Sequence, residues 1–313
     1  MILVAGGTGL LGSKVVDRLV SAGLRVRVLT RDRQRARHLP AGVDVVLGDV
    51  RDGSLEAAVR GCACVVSAVH GFAGPGRTSP EAVDRAGTQK LIAAATAAGV
   101  SRFVLVSVAG AAPDHPMSLH RMKYAAEQQL QAAPLTGLII RPTAFLQTWL
   151  TIIGGKLASG GPALVLGPGR NPINFVAAED VAAFVCLAVR GDPRIGPQIT
   201  VGGHENLTFT DIARRLLAAA GRTGRIKHVP LGALKAMSVL ARPVRPGFAR
   251  QAAAAVVMNT TDLSFDALPL RERFPDVPAL SLDDVLRSVA AAQVVQPPPI
   301  TRPRGSPSRA DRA

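Results

Sequence analysis

The sequence predicts an α/β fold built on a doubly wound parallel sheet, with a smaller C-terminal substrate-binding subdomain. Three observations predict it. Short β-type runs alternate with helical ones across the first 142 residues. A glycine triplet follows the first of these runs, at positions 6, 9 and 12. The chain has 313 residues and 48% hydrophobic side chains, enough to bury a large core.

In chain order, residues 2–5, 25–30, 43–47, 63–68, 102–107 and 137–141 read as strands. Leu11, Val15, Val16, Leu19 and Val20 repeat at helical spacing and mark one apolar face. Residues 80–98 read as a helix with Ser79 as N-cap, Pro80 at the first position and Gly99 as the stop. Residues 118–132 read as another, closed by Pro134. Asp52 is expected to cap a helix over 53–59, and Asp180 one running to Val189. Beyond 153 the chain turns irregular, rich in Gly and Pro around a short strand at 163–166. Thr208 with Asp211, and Ser281 with Asp284, fit capping boxes. Pro243 and Pro246 break the helical stretch 234–258. The expected division is 1–144 for a nucleotide-binding domain and 145–292 for a substrate-binding subdomain partly interleaved with its sheet. The Pro- and Arg-rich segment 293–313 is expected to be disordered.

The segment Gly6-Gly7-Thr8-Gly9-Leu10-Leu11-Gly12 leaves a strand and opens a helix. The first glycine permits a sharp turn, the second lets backbone approach a pyrophosphate, and the third lets helix and sheet pack closely. Free N–H groups at the helix start favour an anion. This is the Rossmann-type fingerprint for a dinucleotide. A P-loop is excluded, because Ser13-Lys14 reverses the Lys-then-Ser/Thr order it requires. A site for NAD places a carboxylate at the tip of the second strand; here that strand ends Thr30-Arg31. A guanidinium suits a 2′-phosphate, so Arg31 favours NADP(H) over NAD(H), with Arg33 as a second contact. Asp49 and Val50 follow the third strand, where Asp49 can accept from the adenine amino group. Ser67 and Ala68 end the fourth, beside the crevice where ligands bind.

The net charge of +15 is concentrated. Between Asp211 and Asp262 there are nine basic residues and no acidic one, and the tail beyond Thr301 adds four arginines against one aspartate. Such a block suits an anionic partner, either a protein or an anionic membrane surface, or simply a solvated face. No nucleic-acid motif accompanies it. Cys62, Cys64 and Cys186 lack zinc spacing and read as small buried side chains. The opening Met1-Ile2-Leu3-Val4-Ala5 lacks a secretory signal, which points to a cytoplasmic protein.

The glycine loop is followed by Gly48-Asp49, Asp84-Arg85-Ala86-Gly87-Thr88 and Phe103-Val104-Leu105-Val106-Ser107. Lys123-Tyr124-Ala125-Ala126-Glu127, Ile140-Arg141-Pro142-Thr143 and Phe175-Val176-Ala177-Ala178-Glu179-Asp180-Val181-Ala182 complete the series. Together they resemble the short-chain dehydrogenase/reductase superfamily, and most of all its atypical, NmrA-like branch, from Met1 to about Ser288. The resemblance implies an NADPH-dependent oxidoreductase acting on a small carbonyl, enone or quinone-like acceptor. The same branch includes silent NADP(H)-sensing regulatory proteins, which is the alternative.

The superfamily's catalytic Tyr-x-x-x-Lys pair is incomplete, since Lys123 is present and Leu119 stands at the Tyr position. Ser107 matches the family's strand-end Ser. The resemblance leaves Lys123 three roles: holding the cofactor ribose, serving as general acid/base, or pairing with Glu127 on a solvated helix face. His120 shares the face of Lys123 and is a candidate replacement proton donor. Asp84 stands where relatives usually carry Asn, or else it is an exposed carboxylate pairing with Arg85 or Lys90.

Overall fold

The computed structural model describes residues 1–52, 54–157 and 159–295, side chains of 289–295 excepted. The first half comprises β1 (Ile2–Ala5), α1 (Leu10–Ser21), β2 (Val26–Thr30), β3 (Asp44–Leu47), α2 (Glu56–Val59) and β4 (Cys64–Ser67). It continues with α3 (Thr88–Ala97), β5 (Arg102–Val106), α4 (Ser118–Gln131) and β6 (Thr136–Pro142). Next come β7 (Ala144–Phe145), α5 (Leu146–Gly154), β8 (Ala163–Leu166), β9 (Ile173–Val176), α6 (Ala178–Arg190), β10 (Gln198–Val201) and β11 (Asn206–Leu207). The chain ends in α7 (Phe209–Ala219), β12 (Ile226–Val229), α8 (Leu231–Leu240), α9 (Pro246–Thr260), α10 (Leu268–Arg273) and α11 (Leu282–Val295).

Seven strands form one parallel sheet in the order β10-β6-β5-β4-β1-β2-β3. Successive residues point to opposite faces, as pleating requires. Ile2 and Val4 enter a core under α1 and α6, whereas Leu3 and Ala5 enter a second core under α2, α3 and α4. Covered on both faces, the central strands are continuously apolar, the pattern of a doubly wound parallel sheet. The order reverses between β1 and β4, and a ligand crevice opens at the carboxyl ends of the strands on either side of such a point. The seventh strand, β10, comes from the second half of the chain. A third core lies outside this sheet, around the small sheets β11-β9-β7 and β12-β8 with α5, α7 and α11.

Local chemistry explains several boundaries. Thr208 and Asp211 form a reciprocal capping box on α7, and Ser281 and Asp284 exchange the same bonds before α11. Pro246 occupies the start of α9, where its missing N–H is harmless. Three expectations are corrected. Residues 80–98 are not one α-helix: a π-helical turn, Glu81–Gly87, precedes α3. Asp52 caps no helix; α2 begins only at Glu56, and the Asp52 carboxylate lies 3.5 Å from Arg77 on the surface. Asp180 is not the N-cap of α6, a place taken by Ala177. It is fully buried one turn in, where Arg271 and the Leu280 N–H bind it, and burial pushes its carboxyl up to about 6 against the pull of Arg271. The tail expected to be disordered lies outside the described residues from 296 onward; α11 includes its first three positions.

Candidate functional site

The β1–α1 turn is shaped by its glycines. Gly6 has φ +85°, and a Cβ there would lie 2.7 Å from the Ala68 carbonyl oxygen. A Cβ on Gly12 would lie 2.1 Å from the Gly6 carbonyl oxygen, so α1 sits against the turn at a distance only glycine allows. Gly9 is the N-cap and offers no side chain; the Ser13 N–H closes on the Gly9 carbonyl. The amides of Leu10, Leu11 and Gly12 precede the first intrahelical bond and have no partner within the helix. Leu11 drives its side chain into the core, whereas Leu10 is exposed. Backbone donors, rather than side chains, therefore dominate this end of the helix.

The turn opens into a cleft of about 790 Å³, lined in part by Gly6, Thr8, Gly9, Arg31, Arg35, Asp49, Val50, Ala68 and His70. Asp32 also borders it, but its carboxylate accepts the Gln34 N–H at 2.8 Å and caps the 3-10 turn Arg33–His38. The β2 tip therefore presents guanidinium groups, with its one carboxylate engaged in capping. Arg33 is exposed on that turn; Arg35, not Arg33, joins Arg31 at the cleft. Asp49 is held by Arg51, through the side chain and the backbone N–H at 3.0 Å, and the guanidinium keeps its carboxyl below the usual range. Ser67, at the end of β4, is fully buried with no hydrogen-bond partner for its Oγ. These residues fit a dinucleotide: a turn only backbone can line, unpaired helix-terminal amides, and a cationic rim at one end.

Lys123 is not on a solvated face. Its side chain is 4% exposed and does not pair with Glu127, which binds Arg141 through a bidentate contact. The Lys123 Nζ instead has three oxygens around it: Val69 O at 2.8 Å, Val106 O at 2.9 Å and Asp84 Oδ1 at 3.0 Å. The two carbonyls accept hydrogen bonds from the ammonium, and the Asp84 carboxylate is its ion-pair partner. Asp84 is correspondingly not exposed and pairs with neither Arg85 nor Lys90. It is fully buried, and its Oδ2 accepts the Gly71 N–H at 2.7 Å. The pair thus ties α4, the ends of β4 and β5, and the loop after β4 into one knot behind the cleft.

Ser107 follows β5, its N–H bonded to Ile140 O and its Oγ without a partner. His120 does not join the cleft-lining residues. It stacks on His115, ring centroids 3.9 Å apart, and burial pushes its imidazole down to about 3, which removes the imidazolium a proton donor needs. The sequence reading missed His70, Arg35 and Arg51. His70 stands three residues beyond Ser67 on the exit of β4, where a lone His carries no motif. Its imidazole is held below the ordinary value, by desolvation first, with the Asp84 charge opposing. Helix α9 reaches the same loop: Arg250 Nε donates to Phe72 O at 3.2 Å, and Gly247 packs on Ala73 O.

Comparison with known proteins agrees with this geometry. A family profile described as NAD(P)H-binding matches residues 6–192. The NAD(P)H azoreductase of Xenophilus azovorans is 33% identical over 245 residues, covering 78% of this chain and 82% of that protein. The (4-alkanoyl-5-oxo-2,5-dihydrofuran-3-yl)methyl phosphate reductase of Streptomyces griseus is 30% identical over 256 residues, covering 80% and 86%. Among solved structures, an NADPH-dependent quinone oxidoreductase from Escherichia coli, complexed with NADPH, superposes with a TM-score of 0.70 at 20% identity. That superposition covers 93% of this chain and 100% of the other, and at this identity it speaks for the fold. Profile, relatives and fold agree: the chain belongs to the NAD(P)H-binding family, within the atypical short-chain-dehydrogenase-like superfamily of Rossmann-type proteins.

Proposed function

We propose that the protein is an NADPH-dependent oxidoreductase that reduces a small carbonyl, enone or quinone-like acceptor. The observation that carries this reading is the cleft at the carboxyl ends of β1, β2 and β4, with the glycine turn at one side and Arg31 and Arg35 at the β2 tip. Backbone amides from Leu10 to Gly12 would receive the diphosphate, with Gly6 and Thr8 lining its approach. Arg31 and Arg35 would take the 2′-phosphate and so prefer NADPH to NADH. Asp49 and Val50 would border the adenine end, and Ala68 lines the crevice, with Ser67 fully buried beside it at the end of β4. When bound, the nicotinamide supplies the hydride. Residues 1–144 would form the cofactor domain and 145–292 the substrate-binding subdomain, with β10 interleaved.

The chain's own contribution is orientation more than acid catalysis. Leu119 carries no proton, Lys123 is committed to Asp84 and two carbonyls, and His120 is neutral and stacked. An acceptor whose reduced form takes its protons from water suits such a site best. The two relatives named as reductases favour an enzyme over a silent sensor. The test is NADPH consumption against a panel of quinones, enones, aldehydes and ketones, with NADH in parallel. Turnover with at least one class, and a lower KM for NADPH, is expected. Tight NADPH binding without turnover of any acceptor refutes the reading.

A further inference from the structure

Four large apolar side chains lie exposed within ten consecutive residues: Val239 (57%), Leu240 (76%), Val244 (80%) and Phe248 (45%). They occupy the tip of the hairpin formed by α8, the turn 241–245 and α9. The other exposed large apolar side chains, Leu10, Leu47, Ile152 and Leu268, are far apart in the sequence, whereas these four fall together, and such a cluster calls for a covering partner. Lys235, Arg242 and Arg245, all exposed, are interleaved with it, and no acidic residue occurs between Asp211 and Asp262.

We propose that this hairpin tip docks on an anionic membrane surface, its apolar side chains entering the headgroup boundary while its cations meet lipid phosphates. Exposed apolar side chains interleaved with Lys and Arg suit a turn that seats at a headgroup boundary, where the apolar groups leave water and the cations meet phosphates. A second copy of this chain fits less well, because a two-fold contact through the tip would bring Arg242 and Arg245 against their own counterparts. The insertion is shallow and peripheral. Among the described residues no helix is long and apolar enough to cross a membrane. The first turn of α9, next to the tip, is anchored to the protein: Arg250 holds Phe72 O and Gly74 O, and Gly247 lies on Ala73. Docking the tip therefore brings the loop that borders the nucleotide cleft towards the bilayer.

The experiment is co-sedimentation of the full chain with phosphatidylcholine vesicles, with and without phosphatidylglycerol, at low and high salt. Binding is expected only to the phosphatidylglycerol vesicles and should weaken as salt screens the charges. Arg242→Gln with Arg245→Gln should lower the partition coefficient roughly thirty-fold, about fivefold for each cation lost. Leu240→Ser with Val244→Ser should abolish it. Both pairs of substitutions lie on the exposed tip, so melting temperature and NADPH affinity serve as controls that the fold and the cofactor cleft are intact. The proposal is overturned by absence of binding to phosphatidylglycerol vesicles at low salt. It is equally overturned by binding that the hairpin substitutions leave unchanged and removal of residues 296–313 abolishes. Failure of NADPH to bind or turn over bears only on the enzymatic reading, since vesicle binding needs neither.

Discussion

Replacing Lys123 by Met separates two roles for this side chain. Met has similar volume and no charge. The substitution leaves the Asp84 carboxylate, fully buried, with only the Gly71 N–H as a recorded donor. Breaking a buried pair by removing one partner costs about 3–5 kcal/mol, because the remaining charge is uncompensated. At roughly 2–4 °C per kcal/mol for a chain of this size, the melting temperature should fall by about 6–20 °C. Asp84→Asn alone should also destabilise, since the ammonium loses its counter-charge. Lys123→Met combined with Asp84→Asn removes both charges and should cost less than the sum of the two, by roughly 1–3 kcal/mol of coupling. Urea unfolding of the four proteins, followed by circular dichroism, measures all three quantities. An ammonium reserved for chemistry or for a ribose hydroxyl would give another pattern: unfolding within about 0.5 kcal/mol of wild type, no coupling, and lost turnover. That result would refute the assignment of Lys123 as the centre of the knot behind the cleft.

Three further outcomes are expected. Arg31→Ala should raise the KM for NADPH by roughly ten- to a hundredfold and leave that for NADH nearly unchanged, since a charge-assisted contact contributes about 1.5–3 kcal/mol; initial rates with both nucleotides measure it. His120→Phe should flatten the acid limb of stability. The folded His120 pKa of about 3 lies below the unfolded value of 6.5, so the unfolded state binds the extra proton and wild-type stability falls as pH drops from about 6.5 towards 3. Between pH 6.5 and 4.5, wild type should lose about 2–3 kcal/mol more than the variant in urea titrations. His70→Gln should slow ketone reduction more than quinone reduction, because His70 is, among the described residues, the one imidazole lining the cleft. Competition kinetics at fixed pH compare the two, and equal losses would assign His70 a positioning role.

The parallel sheet was legible because its signals are local. Each strand is a short apolar run, each crossover fits one helix, and the glycine spacing in the first turn repeats a known stereochemical need. What escaped the sequence depends on partners far apart in the chain. Asp180 has the residue type and position of a cap, yet it is claimed by Arg271 and Leu280, some 90 and 100 residues away. Lys123 and Glu127 have ideal helical spacing for an ion pair, but each finds a stronger partner on another element, Asp84 and Arg141. Local spacing predicts an interaction only when both side chains face solvent; burial forces each charge to its best counter-charge wherever that lies. Arg35 was overlooked for a related reason. Asp32 caps a 3-10 turn, and that geometry, not sequence proximity to Arg31, decides which arginine faces the cleft.

The same knot bears on which acceptors the site can serve. Hydride addition to a simple ketone concentrates charge on one oxygen, and a donor must stand ready at that atom. The superfamily's usual answer is a phenol whose proton a neighbouring ammonium makes easier to release. Leu119 removes the phenol, and the ammonium that would have assisted it is turned to Val69, Val106 and Asp84. The two changes are physically coherent. An ammonium with no phenol to serve is better neutralised by a buried carboxylate, and once neutralised it can brace the strand ends that carry the cleft. Reduction of a quinone-like ring spreads the charge over two oxygens and the ring itself, which lowers the demand for a donor within the protein. A cleft with backbone amides for phosphate, guanidinium groups at its rim and an engaged lysine is therefore suited to hold a nucleotide in place beside such an acceptor, leaving protonation to solvent.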